Sequence, residues 1–320
     1  MISSVSIALC TYNGERFLQE QLDSLLAQTR RPDQIVIRDD VSSDGTLALL
    51  RAFVPRAEAE GITVDLQVNP QNLGYRGNFD GALRACTGEV IFLCDQDDVW
   101  YPDKLQRFCV EFDARPLLLA LHSDATLIDE TGRILSKRLF SALGYRPSEH
   151  ARMHAGQGFQ LLLKRPLMTG AAMALRRQVL DDSLPLPASS WVHDAWIGML
   201  AAMRGEIDSL PEALIGYRLH DENQVGLGDQ DGVSRDVRRE RQLEIERLQC
   251  EQLLARARAL DLPGSHLKWI ERKQRHLTVR TGLGPGRLRR IPAVMAEVIS
   301  GNYGYFGRGL LTAAIDLARR

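Results

Sequence analysis

Three carboxylates stand within four residues of one another, at Asp95, Asp97 and Asp98, and they directly follow the apolar run of residues 90–94. A short apolar run between polar residues indicates a buried strand, so the carboxylates lie where that strand ends. Acidic groups this close together need a cation to neutralise them, and carboxylate oxygens suit Mg²⁺ or Mn²⁺, which keep positions open for phosphate oxygens. We therefore expect a divalent-cation site here, with a solvated acidic turn as the alternative.

The first hundred residues alternate short apolar runs with helical patterns, which indicates an α/β fold with a doubly wound, mostly parallel sheet flanked by helices. The runs predicted to be strands are residues 5–10, 34–38, 63–68 and 90–95. The first predicted helix, over residues 16–28, places Leu18, Leu22, Leu25 and Leu26 on one face.

Polar residues follow three of these predicted strands. They are residues 11–14, the pair Asp39 and Asp40, and residues 95–98. Ligands of open α/β sheets bind just beyond the carboxyl ends of the strands, so all three groups are expected at one crevice. This convergence favours a binding site over a chance cluster of acids.

Bulk composition excludes several other kinds of protein. The 320 residues are 44% hydrophobic, enough for one large α/β domain with an appendage or for two domains. The formal net charge of −1 predicts no nucleic-acid partner, and no apolar stretch is long enough to span a bilayer. The first residues do not resemble a secretion signal and the five cysteines are scattered, so we expect a cytoplasmic protein with reduced thiols.

The chain changes character towards its C-terminus, where a helical region is predicted over residues 229–320 as an extension of the α/β domain. From Lys268 onward, eleven Lys and Arg residues face three acidic ones and alternate with apolar and aromatic residues. Such a segment fits adsorption to an anionic membrane, at the inner face of the cytoplasmic membrane. A helical subdomain that packs on the main body and leaves its basic face in solvent fits equally well.

The order of the polar motifs along residues 3–226 resembles that of the family 2 glycosyltransferases, whose GT-A fold is an α/β domain that binds nucleotide sugars. The segments that carry the resemblance are residues 6–14 (SIALCTYNG), 35–46 (IVIRDDVSSDGT), 72–78 (NLGYRGN), 95–98 (DQDD), 193–196 (HDAW) and 217–220 (YRLH), with Asn223 and Gly226 after them. Each segment is weak alone, and their number and order make the resemblance specific. It implies a glycosyltransferase domain over residues 1–228, with a nucleotide-binding half at about 1–100 and an acceptor half at about 101–228.

The resemblance assigns six residues to the nucleotide part of a nucleoside-diphosphate sugar donor. They are Thr11, Tyr12, Asn13, Asp40, Arg76 and Asp95. The carboxylate of Asp40 would contact the base and ribose together with Thr11 and Tyr12. Arg76 would lie near the phosphates, and Asp95 would hold the ribose.

Two further roles follow from the resemblance. Asp97 and His220 would bind the Mg²⁺ or Mn²⁺ that bridges the donor diphosphate and would leave positions for phosphate oxygens and water. Asp194 would be the general base that takes the proton of the acceptor hydroxyl, so that a single displacement inverts the anomeric centre. A lone histidine is more often structural, and Asp194 could also be an N-cap for the helix that runs to Met203; these interpretations stay open.

On the acceptor side, the resemblance points to Thr169, Gly170 and Trp196. Gly170 would let a sugar approach the backbone, while Trp196 could either stack on a sugar face or belong to the core. The motifs at residues 193–196 and 217–220 look like the rhamnosyltransferase branch, which implies dTDP-L-rhamnose as donor and a cell-surface glycan or lipid-linked oligosaccharide as acceptor. The Gln-x-x-Arg-Trp signature of the processive branch does not occur in this sequence, so transfer of one sugar is expected.

Two other functions fit parts of the pattern. Residues 95–99 also resemble the nucleophile loop of haloacid-dehalogenase-like phosphatases, in which the aspartate at the position of Asp95 is phosphorylated. That loop normally follows the first strand, whereas three predicted strands precede it here. A non-catalytic nucleotide-sugar-binding protein is the second alternative, because a fold does not guarantee an activity. The joint presence of Asp97, Asp194 and His220 favours the enzyme.

Overall fold

The computed structural model describes residues 2–188, 190–221 and 235–318. The chain divides into two compact units. The first comprises Met1–Gly158, Leu167–Ala188 and Val192–Gly228, and the second comprises Phe159–Pro166, Ser189–Trp191 and Asp229–Arg320. The boundary expected after residue 228 and the motif residues Asn223 and Gly226 lie outside the described residues.

A mixed sheet forms the centre of the first unit. Its strands are β1 (Val5–Thr11), β2 (Gln34–Asp39), β3 (Thr63–Val68), β4 (Val90–Cys94), β5 (Val99–Trp100), β6 (Leu118–Ile128), β7 (Ile134–Arg138), β8 (Met173–Arg176) and β9 (Glu206–Arg218). Their order is β3-β2-β1-β4-β8-β6-β9-β5, and β7 pairs with β6.

The parallel part of this sheet is built from the four apolar runs of the first hundred residues. Strands β3, β2, β1 and β4 all pair in parallel, and every residue of β1 and β4 is buried. Beyond β4 the sheet becomes mixed, because β8 runs antiparallel to both β4 and β6, while β9 runs parallel to β6. The predicted α/β class, with a central sheet flanked by helices, is confirmed.

Helices accompany the strands as the apolar periodicity predicts. The helices up to residue 204 are α1 (Glu15–Leu26), α2 (Thr46–Ala59), α3 (Gly74–Ala85), α4 (Lys104–Ala114), α5 (Leu139–Ala142), α6 (Pro147–Arg152), α7 (Gly158–Lys164), α8 (Val179–Ser183) and α9 (His193–Arg204). In α1 the residues Leu18, Leu22 and Leu25 are fully buried in the main core and Leu26 packs at its edge, so one face of this helix is apolar as expected.

The second unit is helical in its C-terminal part. Its helices there are α10 (Arg235–Ala259), α11 (Gly264–Thr281), α12 (Arg287–Ile299), α13 (Asn302–Phe306) and α14 (Leu310–Ala318). A small apolar cluster of Leu283, Val294, Tyr303 and Ala313 lies between the last of them. In the part of the chain that the structure describes, no helix is both long and apolar enough to cross a membrane.

One titratable side chain of the first unit, His122 in β6, lies wholly inside the core. It is fully buried, and its ring centroid lies 5.1 Å from that of Phe140 and 5.9 Å from that of Tyr145. Within the described residues, neither ring nitrogen has a hydrogen-bond partner. Burial lowers the pKa of His122 from its ordinary 6.5 to about 3, although the charge of Asp208 acts in the opposite direction.

Replacing His122 by Leu should make the protein less sensitive to acid. The folded state holds the imidazole neutral down to about pH 3, whereas the unfolded chain takes up a proton near pH 6.5. The contribution of the neutral His122 to the free energy of unfolding is therefore complete above pH 6.5 and is lost as the pH falls towards 3. Between neutral pH and pH 5, protonation of His122 in the unfolded chain should lower the free energy of unfolding of the wild type by about 2 kcal/mol. Urea unfolding at about pH 7.5 and about pH 5 measures the loss, and equal losses in both proteins would contradict it.

Candidate functional site

The carboxyl ends of β1, β2 and β4 meet at one edge of the sheet, because these three strands pair in parallel. Thr11, the last residue of β1, lies opposite Asp39, the last residue of β2. Gln96 joins the segments that follow β1 and β4. Its side chain accepts a hydrogen bond from the Tyr12 N–H (2.8 Å) and donates one to the Tyr12 carbonyl (3.0 Å).

Asp39 and Asn13 organise the turns at this edge. The buried Asp39 carboxylate accepts hydrogen bonds from the Thr11 hydroxyl (2.8 Å) and from the N–H and hydroxyl of Ser42 (2.9 and 2.6 Å). Asn13 has a φ of +48°, and its side-chain oxygen accepts a hydrogen bond from the Ser43 N–H (2.8 Å). The polar atoms of Thr11 and Asn13 therefore hold the loops in place.

Asp40 is buried, and its carboxylate is already engaged. One oxygen accepts hydrogen bonds from the Asn69 amide and from the Leu73 N–H, and the other accepts one from the Gly74 N–H, each at 2.8 Å. Gly74 is the first residue of α3, so the negative charge also lies at a helix N-terminus, where it is favoured. Asp40 thus ties β2 to the loop before α3, an arrangement that the motif alone does not reveal.

Four of the six residues assigned to the nucleotide are exposed or partly buried, namely Tyr12, Asn13, Arg76 and Asp95. Tyr12 is 45% exposed. Arg76 is partly buried, and its guanidinium carbon lies 5.2 Å from the centroid of the Tyr75 ring. An aromatic face and a cation near the mouth of the crevice suit a base and a phosphate respectively.

Asp97 and His220 come together although 123 positions separate them in the sequence. The Nε2 atom of His220 lies 2.8 Å from Asp97 Oδ2, and the His220 ring packs 4.9 Å from that of Phe17. The two atoms are within hydrogen-bond distance of each other, and a carboxylate oxygen beside an imidazole nitrogen is also the ligand pair expected for Mg²⁺ or Mn²⁺. The described residues contain no group of three or more His, Cys, Asp or Glu side chains that could hold a metal ion, so this pair would rely on donor oxygens and water for the other positions.

Arg218 fixes the backbone on which Asp97 stands. The Arg218 side chain is buried; Nε donates to the Asp97 carbonyl (2.7 Å) and Nη1 to two carbonyls of the turn between β6 and β7 (3.2 Å each). Nη2 pairs with the Glu20 carboxylate of α1, and the Arg218 N–H donates to Asp98 Oδ1 (2.9 Å). One arginine therefore joins α1, β9 and the acidic loop.

The acidic residues after β4 repel one another inside the protein. Desolvation, followed by the charges of Asp97 and then Asp194, raises the pKa of Asp95. Burial and the charges of Asp97 and Asp95 likewise raise the pKa of Asp98, whose Oδ2 has no hydrogen-bond partner among the described residues. Excess negative charge of this kind is neutralised most simply by a bound cation.

Lys104 is a buried amine close to the same cluster. The Nζ atom of this fully buried residue donates to the Ala171 carbonyl (2.7 Å) and lies 3.6 Å from the centroid of the Trp100 ring. Burial lowers the pKa of Lys104, while Asp98 and Asp95 act in the opposite direction. Nothing in the sequence around Lys104 distinguishes it from a surface lysine at a helix start.

Asp194 is held beside Gly170. Its Oδ2 accepts a hydrogen bond from the Gly170 N–H (2.7 Å) and its Oδ1 accepts one from the Ala195 N–H (2.6 Å). A Cβ atom on Gly170 would lie 3.0 Å from His193 Nε2 and 3.4 Å from Asp194 Oδ2, so glycine permits this close approach. Thr169 precedes Gly170 as an extended residue. The N-cap of α9 is Val192 and Asp194 lies in the first turn, so the N-cap interpretation of Asp194 is wrong.

Trp196 lies in the core. It is 3% exposed, and its indole N–H donates to the Ser183 carbonyl (2.9 Å). With both ring faces buried, it cannot stack on a sugar in this structure, so the stacking interpretation is corrected to the core one.

Comparison with known proteins identifies the chain. The family model described as glycosyl transferase family 2 matches residues 6–184. An uncharacterized glycosyltransferase of Nostoc sp. is 30% identical over 229 residues, which cover 68% of this chain and 66% of that protein. An uncharacterized protein of Mycobacterium tuberculosis is 30% identical over 218 residues, which cover 68% of this chain and 59% of that protein. The chain thus spans less than two thirds of the length of either relative.

Solved structures share the fold. TarS of S. aureus in complex with UDP-GlcNAc superimposes with a TM-score of 0.61 at 18% identity, covering 92% of this chain and 80% of that one. The mannosyltransferase PcManGT of Pyrobaculum calidifontis, in complex with GDP-Man and Mn²⁺, gives a TM-score of 0.53 at 18% identity, covering 98% and 80%. These likenesses are to the GT-A fold alone. Since the family model matches more than half of the chain, the protein belongs to glycosyl transferase family 2.

Proposed function

We propose that the protein is an inverting, metal-dependent glycosyltransferase that moves one sugar from a nucleoside-diphosphate sugar to a hydroxyl group. The observation that carries this proposal is the meeting of Asp97 with His220 in the same charged cluster as Asp194. A cation site and a separate carboxylate base are what such a displacement requires.

Asp97 and His220 are the residues that would hold Mg²⁺ or Mn²⁺. When bound, the cation would neutralise the charge that develops on the departing diphosphate. The clustered acidic groups of Asp95 and Asp98 would attract such a cation, and Arg218 fixes the backbone that carries Asp97.

Asp194 is the proposed general base. Two backbone N–H groups, those of Gly170 and Ala195, orient its carboxylate, and the glycine leaves room on that side. As the acceptor oxygen forms a bond to the anomeric carbon, its proton passes to Asp194. The bond from that carbon to the diphosphate oxygen breaks on the opposite face, so the configuration inverts.

Thr11, Tyr12, Asn13, Asp40, Arg76 and Asp95 form the proposed nucleotide site. Support for a nucleoside-diphosphate sugar comes from the solved relatives of like fold, one in complex with UDP-GlcNAc and one with GDP-Man and Mn²⁺. The motifs at residues 193–196 and 217–220 lead us to dTDP-L-rhamnose as the specific donor. Residues 1–228 would carry the reaction, with Thr169 and Gly170 on the acceptor side.

The proposed acceptor is a hydroxyl of a cell-surface glycan or a lipid-linked oligosaccharide. We place the reaction in the cytoplasm, at the inner face of the membrane, with the region of residues 229–320 in contact with anionic lipid. The phosphatase alternative loses support, because β1, β2 and β3 precede the loop that carries Asp95, whereas the phosphatase loop normally follows the first strand.

A donor panel tests the proposed substrate. With Mn²⁺ present, dTDP-L-rhamnose should be turned over faster than UDP-, GDP- or other dTDP-sugars, as measured by release of nucleoside diphosphate. Chelation of the cation should abolish the release, because the diphosphate would lose its counter-charge. Turnover that is unchanged by chelator would contradict the metal-dependent reaction, and preference for a UDP- or GDP-sugar would replace dTDP-L-rhamnose.

Asp194→Asn should retain donor binding and lose transfer. An amide cannot take the acceptor proton, so turnover should fall by about 100-fold or more. The melting-temperature shift produced by nucleoside diphosphate with Mn²⁺ should match that of the wild type.

Two variants serve as controls for that prediction. Asp97→Ala should reduce the Mn²⁺-dependent melting-temperature shift itself, which separates cation binding from proton transfer. Asp103→Asn makes the same chemical change on an exposed residue and should leave both measurements unchanged. If Asp194→Asn were fully active, the base would have to be another residue, and a wild type that binds donor without any turnover would be a non-catalytic binding protein.

A further inference from the structure

The outward face of α12 is apolar. Leu288, Ile291, Met295 and Ile299 recur at helical spacing and are 82%, 42%, 46% and 81% exposed. At intervals of three and four residues they form one stripe along the whole helix. Exposure of this stripe is unusual, because the apolar side of a surface helix normally faces the core.

The neighbouring helix α14 continues this surface, since α12 and α14 pack against each other. Leu310 and Leu311 are 73% and 53% exposed at its start. We call these two residues, together with the four of α12, the apolar face.

The inward sides of the same two helices carry buried acidic groups beside Val294 and Ala313 of the small apolar cluster. Asp316 of α14 is fully buried and accepts hydrogen bonds from Arg239 Nη2 (2.6 Å), Arg280 Nε (2.9 Å) and the Tyr303 hydroxyl (2.9 Å). Glu297 of α12 points inward as well. Ion pairs therefore share the interior with the apolar cluster, while the leucines of the same helices lie outside.

Glu297 is held there by two contacts. Its Oε2 pairs with His276 Nδ1 (2.5 Å) and accepts a hydrogen bond from the Asn302 amide (2.7 Å). Glu297 and Asp316 are the only acidic residues between residues 282 and 318. Because both carboxylates point inward, neither lends negative charge to the apolar face.

Exposed arginines border the apolar face. Arg287 and Arg289 stand at the start of α12, and Arg308 precedes α14. The surface therefore combines apolar side chains that could enter a lipid layer with cations that pair with anionic headgroups. A protein partner would require an apolar patch with a complementary acidic rim. An anionic bilayer offers an apolar interior and negative headgroups everywhere on its surface.

We propose that the apolar face is a membrane-docking surface that lies in the interface of an anionic bilayer, with α12 parallel to the membrane plane. This proposal deepens the proposed function and rests on it in one respect. A lipid-linked acceptor would explain why the enzyme binds a membrane. Binding requires neither donor nor cation, so it can be measured separately from transfer.

Flotation with vesicles tests the docking surface. The full-length protein should float with vesicles of phosphatidylcholine containing about one-third phosphatidylglycerol, and should bind vesicles of phosphatidylcholine alone ~tenfold less. The double variant L288Q/I299Q should lose most of the binding, because two of the exposed apolar side chains no longer enter the lipid. R287Q/R289Q should weaken binding to the anionic vesicles and reduce its dependence on salt.

Leu117→Gln is the matched control. Leu117 is 70% exposed in the first unit, so this variant removes an exposed leucine elsewhere and should bind vesicles as the wild type does. Thermal unfolding of each variant verifies its fold. Absence of flotation at low salt, or equal flotation of L288Q/I299Q and wild type, would overturn the proposal.

Self-association is the competing result. A wild-type dimer in light scattering that L288Q/I299Q converts to monomer, without any vesicle binding, would assign the apolar face to a second copy and overturn the lipid proposal. Turnover of a soluble donor is measured without vesicles, so a failure there would count against the proposed function and leave the docking surface standing.

Discussion

Repulsion among like charges at one sheet edge is the constraint on which the rest of this structure depends. Asp95, Asp97 and Asp98 follow β4, and the charge of Asp194 reaches the same place from α9. Burying such a group costs free energy that local structure has to offset. Backbone N–H groups hold Asp194 and Asp98, and a buried arginine holds the loop that carries Asp97. The protein thus holds these acidic groups in place with its own backbone and with one arginine.

The fold of the first hundred residues could be predicted because each strand there is a continuous apolar run separated from the next by a helix. The later strands could not be read in this way. Strand β9 extends over 13 residues and contains Pro211, which interrupts a strand pattern, and β8 has only four residues. Both take their places in the sheet from long-range pairing with β6, which local periodicity does not encode.

The proximity of Asp97 and His220 was predictable, because both residues belong to ordered motifs. The role of a side chain was not predictable where burial alone decides it. Lys104 looks like a solvated lysine at a helix start, yet it is enclosed against the Trp100 ring. Trp196 also takes its role from burial. Its position in the sequence near the proposed base suggested that it stacks on a sugar, whereas the structure buries it in the core.

The hydrogen bonds of Asp40 bear on how a donor base could be read. Its carboxylate already accepts three hydrogen bonds, two of them from the backbone N–H groups of Leu73 and Gly74. A base N–H that reaches Asp40 would have to share these oxygens with the loop or displace part of it. Discrimination among nucleobases would then depend on how easily residues 69–74 rearrange. Exchange of residues 69–71 between relatives would then transfer base preference while every motif residue stays the same.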